Sequence, residues 1–132
     1  MRIRLAFCAL LALAMFGGPG AQAQSLAELR TTLQAALQRN LGRSMLGGAL
    51  PHVDLKTGTL TRLYPTENHQ VILKMGEVYV MCSTLMTEDG REALVDYYIT
   101  ESDGRFGVIR TEIDNRAPLR ALMEAGHATR LE

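Results

Sequence analysis

From Val78 to Ile113 the chain runs in three stretches of alternating apolar and polar residues, separated by two Asp-Gly steps. That pattern constrains the fold more than any other feature. A side-chain period of two is that of a strand with unlike faces, and Asp-Gly between such runs favours a tight hairpin. The first run, 78–86, puts Val78, Val80, Cys82 and Thr84 on one face and Tyr79, Met81, Ser83 and Leu85 on the other. The second, 92–100, groups Ala93, Val95, Tyr97 and Ile99. The third spans 105–113. Glu88-Asp89-Gly90 and Ser102-Asp103-Gly104 are expected to be the turns. Each is followed by an exposed arginine rather than forming a ligand motif.

Upstream, the period shifts from two to that of a helix. Leu26, Leu29, Leu33, Leu37 and Leu41 recur at spacings of three and four, which predicts an amphipathic helix over 25–41. Ser25 and Glu28 form a capping-box pattern at its start, and Gly42 is the expected C-terminal stop. Residues 43–51, with Gly47-Gly48, read as a mobile connection or one short helical turn. A weak hairpin follows over 53–64, ended by Pro65, and a further strand over 71–75 with a break near Gly76. After the last strand, Asp114 or Asn115 can cap a short helix. Pro118 sits in its first turn, Leu119, Leu122 and Met123 share one face, and Gly126 ends it. Residues 127–132 form a tail or an edge strand.

The expected fold class is therefore α+β: an N-terminal amphipathic helix on a curved antiparallel sheet of four to five strands, with a short C-terminal helix. This element order resembles the layout of cystatin-like and nuclear-transport-factor-like folds. The likeness is one of architecture and carries no functional residue with it.

The N-terminus predicts export. Arg2 and Arg4 precede a 12-residue apolar run from Leu5 to Phe16; Gly17, Gly18, Pro19 and Gly20 follow, and Ala21-Gln22-Ala23 supplies small residues at a cleavage site. The run is too short to span a bilayer. The expected organisation is a signal peptide over 1–23, cleaved after Ala23, and a single domain over 24–132 in the periplasm or outside the cell. Cleavage leaves 109 residues with 12 basic and 14 acidic groups, and Cys82 as the only cysteine. Such a balance does not suit a nucleic-acid binder acting through bulk positive potential. No Trp and four Tyr leave the core to Leu, Val, Ile and Met.

Four sets of residues could carry chemistry. Cys82, in mid-strand, reads first as a buried core thiol, then as a disulfide to a partner or a second copy, and last as a nucleophile. Soft ligands for Cu(I) could come from Met75, Met81 and Met86, but no two His are close, so gap-filling in the core is the simpler reading. Asp96, on a strand face with Leu94 and Tyr98, would be a perturbed acid or base if buried, with His52 or His69 as partner in a cone-shaped pocket of isomerase or dehydratase type. The plainer expectation is that this face is solvated. Tyr79, Tyr97 and Tyr98 are candidate binding anchors, with one of the adjacent pair facing the core and the other outward. No cofactor is expected, and phosphate loops, serine elbows and zinc spacings do not occur in the sequence.

The leading functional expectation is a non-enzymatic exported binding module. It would use a sheet face or a helix–sheet cleft to hold a protein partner or a small apolar ligand, with a dimer left open. The alternatives are the Asp96–His enzyme and a soluble carrier of metal or lipid, although 109 residues are few to enclose a whole acyl chain.

Overall fold

A computed structural model describes residues 20–132, with side chains from Ser25 onward. The expected signal segment thus lies largely outside the described residues. The chain is α+β: helix α1 (Gly20–Ser44), strands β1 (Leu50–Asp54), β2 (Thr59–Met75), β3 (Val78–Thr87), β4 (Glu92–Ser102) and β5 (Arg105–Ile113), helix α2 (Ala117–Glu124) and a two-residue strand β6 (Thr129–Arg130). The sheet is antiparallel, in the order β1-β2-β3-β4-β5, and β6 adds to the far end of β2. Among the described residues no helix is long and apolar enough to cross a membrane.

The leucine stripe does what its spacing predicts. Leu33, Leu37 and Leu41 are buried, Leu26 and Leu29 partly so, and all pack with Leu63, Ile72, Met81, Leu85, Val95, Tyr97 and Ile99 on the first sheet face. Both helix ends differ from expectation. α1 begins at Gly20, so Ser25 is in helix interior and no capping box forms; Ala21, Gln22, Ala23 and Gln24 are adequate helix formers that continue the turn. At the other end the helix runs through Gly42. The reversal falls instead on Gly47 (φ 59°) and Gly48 (φ 83°), where the Leu46 amide donates to the Ala49 carbonyl at 2.8 Å. Two successive positive φ angles suit glycine and close a tight turn rather than a mobile loop.

The sheet curls around α1. His52, Val53 and Asp54 of β1 and Thr111, Glu112 and Ile113 of β5, the two outermost strands, line one cleft of about 570 Å³. The curl is helped by irregularities in β2. Pro65 does not end a strand there; β2 continues through it, with register shifts between Pro65 and Glu67 and between Asn68 and Ile72. The last β1 pairing is Leu50 with Leu63, so Pro65 lies beyond β1 and its missing N–H breaks no ladder bond. The two sequence segments on either side of Pro65 are thus one bent strand.

The Asp-Gly steps are turns, as expected. Asp103 (φ 51°) and Gly104 (φ 72°) join the paired residues Ser102 and Arg105. Gly104→Ala should cost about 1 kcal/mol, since a Cβ is strained at this φ even where space is open. A shift in the urea midpoint with an unchanged m-value would show it, and unaltered stability would contradict the turn assignment.

The second sheet face is only half covered. α2 and the C-terminal segment lie on it, gathering Leu73, Val80, Tyr98, Leu119 and Ala128 into a smaller core. α2 contributes one fully buried side chain, Leu119. Its expected cap is not used: Arg116 occupies the N-cap position without a side-chain cap bond. Gly126 (φ 74°) closes the helix, with its amide on the Met123 carbonyl at 3.0 Å.

Candidate functional site

Cys82 on β3 and Asp96 on β4 are register partners on the second face. The chain leaves β5 through Asp114 (φ 50°), whose amide donates to the Leu94 carbonyl at 2.8 Å and whose Oδ1 accepts the Leu94 amide at 3.0 Å. Arg91 holds the other Asp114 oxygen at 2.7 Å. This anchored turn carries the start of α2 back over β4. Arg116 then reaches Asp96, with Nε 3.2 Å from Oδ2 and Nη2 3.1 Å from Oδ1. The Cys82 thiol donates to Asp96 Oδ1 at 2.8 Å, and Arg116 Nη2 lies 3.2 Å from Sγ.

Asp96 is 0 % exposed, which overturns the expectation that its face is solvated. The cause is the α2 layer, supplied from more than 20 residues away. Burial, then the hydrogen bond and the negative charge of Asp96, push the Cys82 thiol up to about 12; the positive charge of Arg116 opposes this. Cys82 at neutral pH is therefore a protonated donor to a carboxylate, not a thiolate nucleophile. It is buried and free, in keeping with its mid-strand position. Every buried side-chain polar atom among the described residues has a partner.

Neither His52 nor His69 bonds Asp96, although Thr84, the partner of His69, shares a β3 face with Cys82. His69 Nε2 is 2.9 Å from Thr84 Oγ1, and His52 lines the β1–β5 cleft. The polar partners of Asp96 are Cys82 and Arg116, so the acid/base pair considered from sequence is not assembled. The tyrosines also differ from an outward-facing set. Tyr97 is in the first core, where its hydroxyl accepts from Ser83 Oγ at 3.2 Å, and burial raises its phenol. Tyr98, on the face expected to be solvated, is buried in the second core beneath α2, so both members of the adjacent pair are buried. Tyr79 is half-buried, edge-on to Phe106 with centroids 6.0 Å apart and with Lys74 Nζ 4.8 Å from its ring centre.

The methionines do not converge. Met81 is in the first core, while Met75 packs on the second. Met86 stands at the opposite end of β3 from Met75, about 25 Å away at strand rise. Among the described residues no group of three His, Cys, Asp or Glu side chains is placed to hold a metal ion.

What the second face does offer is an uncovered half. Val53 pairs with Leu60 across β1 and β2, Tyr64 pairs with Met86 across β2 and β3, and Thr84 pairs with Leu94 across β3 and β4. Alternation puts Val53, Leu60, Tyr64, Met86 and Leu94 on one surface. Leu60 is 52 %, Val53 47 % and Tyr64 39 % exposed. At its α2 end this surface meets a groove of about 550 Å³ lined by Leu94, Asp114, Arg116, Leu119, Arg120 and Met123.

Sequence reasoning passed over Arg116, Leu60 and Tyr64. Arg116 carried one signal: a cation at a helix N-terminus opposes the helix dipole, which points to a tertiary partner. Comparison with protein-family models, curated proteins and solved structures returns no match, so the site is read on its own chemistry.

Proposed function

We propose that this chain is an exported, non-enzymatic binding module that holds a protein partner on the uncovered half of its second sheet face. The observation that carries the reading is the set of apolar side chains Val53, Leu60, Tyr64, Met86 and Leu94 on one sheet face across four strands, with Arg62, Thr84 and Glu92 interleaved among them. A patch of this kind marks an interaction surface more often than scattered single residues do. Its breadth across four strands suits a protein face better than a small ligand. Tyr64, rather than Tyr97 or Tyr98, is the aromatic anchor such a surface needs. Export rests on the Arg2/Arg4, apolar-run and Ala21-Gln22-Ala23 pattern. The cystatin-like or nuclear-transport-factor-like layout rests on element order alone, and both families' general plan of a helix in a curved sheet accords with it.

Native mass spectrometry of the protein isolated from its own host tests the reading. The expected result is a chain starting at Gln24 that carries a co-purifying protein, lost in Leu60→Glu. That substitution is at an exposed position and should alter stability by less than about 1 kcal/mol. A bare monomer, or a partner retained by Leu60→Glu, would overturn the sheet-face assignment. A chain still carrying residues 1–23 would overturn export by cleavage.

A further inference from the structure

We infer that the groove between α2 and β4, which adjoins the sheet-face surface at Leu94, is a second binding site for a small amphiphilic monocarboxylate. The inference comes from charge accounting within the groove. Asp114 is neutralised by Arg91 at 2.7 Å, and Arg116 by Asp96 at 3.1 Å. Arg120 makes no ion pair among the described residues, and it stands one turn from Arg116 on the same helix face. With Arg116 already paired to Asp96, Arg120 is the one positive charge of the lining left without an ion pair among the described residues, and an anion in the groove would supply it.

A guanidinium presents a planar fork of N–H donors, which matches a carboxylate in shape as well as charge. The single free charge favours a monoanion, because the lining offers a second negative charge no unpaired cation. Leu94, Leu119 and Met123 supply the apolar part of the lining. Met123 is exposed and unbranched, and can settle on a flexible chain. At about 550 Å³ the groove lies in the size range of small-ligand sites. Because it lies on the surface, it would hold the head and the first part of a chain without enclosing the whole.

Calorimetric titration of the full chain with octanoate and with 1-octanol tests this. Octanoate should bind at least fivefold more tightly than 1-octanol. Arg120→Gln should remove that advantage, and Leu60→Glu should leave it intact. Equal affinity for the two probes, no saturable octanoate binding, or a preference that survives Arg120→Gln would overturn the inference while leaving the sheet-face reading standing. Loss of octanoate binding in Leu60→Glu would also overturn it, by moving the probe to the sheet face.

Discussion

Asp96→Ala should destabilise the protein by about 3 kcal/mol. Asp96 is wholly buried and accepts from the thiol of Cys82 and the guanidinium of Arg116. Removing one member of a buried ion pair leaves the other charge without compensation, typically at a cost of roughly 3–5 kcal/mol. Here the Arg116 side chain is 33 % exposed, so water recovers part of that loss and the lower end of the range applies. The thiol also loses its acceptor. For a domain of this size the melting temperature should fall by about 13 °C. Cys82→Ala should cost less, about 1–2 kcal/mol, since Asp96 keeps Arg116. The double variant Asp96→Leu/Arg116→Leu should recover a good part of the Asp96→Ala loss, because no buried charge remains unpaired. Urea unfolding of the four proteins decides the matter. An Asp96→Ala variant within 0.5 kcal/mol of wild type, on the order of an ordinary surface change, would show that the cluster does not hold α2 to the sheet.

That cluster also marks where the sequence could and could not be read. The leucines of α1 and the alternating strands β3, β4 and β5 were legible because each signal is local: a period of 3.6 or of 2, punctuated by Asp-Gly. Pro65 was misread for a local reason too. A proline normally argues against a central strand, and only the end of β1 at Leu50–Leu63 makes it harmless. The burial of Asp96 was not legible at all. The strand 92–100 alternates equally well with either face wet. What settles the question is an eight-residue helix folding back over β4, fixed by the Asp114 turn. The same event buries Tyr98 and leaves Leu60 and Tyr64 open. Local periodicity identifies the two faces of a sheet but not which part of each face later elements will cover.

The largest kinetic effect should be at Cys82. A thiol held at about 12 instead of 9.0 is far less ionised at pH 8 than the same cysteine in the unfolded chain. The thiolate is the reactive form, so alkylation of the native protein should be roughly a thousandfold slower than in urea, before burial adds to the protection. Asp96→Asn should speed labelling of the folded protein, since it removes the negative charge that helps to hold the proton on sulfur. The same proton has a thermodynamic consequence. The folded state binds it more tightly than the unfolded state does, so its contribution to stability is complete below pH 9 and is lost as pH rises toward about 12. In that window the stability of wild type should fall relative to Cys82→Ala, with a slope of up to about 1.4 kcal/mol per pH unit. Comparing the two proteins cancels the alkaline contribution of Tyr97 and most of that of Tyr98, whose phenols are both raised chiefly by burial, the charge of Cys82 being the smallest cause at Tyr98. Parallel stability curves for wild type and Cys82→Ala between pH 9 and 11, or native labelling within tenfold of the unfolded rate, would mean that the thiol is not the buried donor to Asp96. The half-covered face would then lack the side-chain bond between Cys82 and Asp96 beneath Arg116, and α2 would be held by Leu119, Leu122 and the Arg116–Asp96 pair.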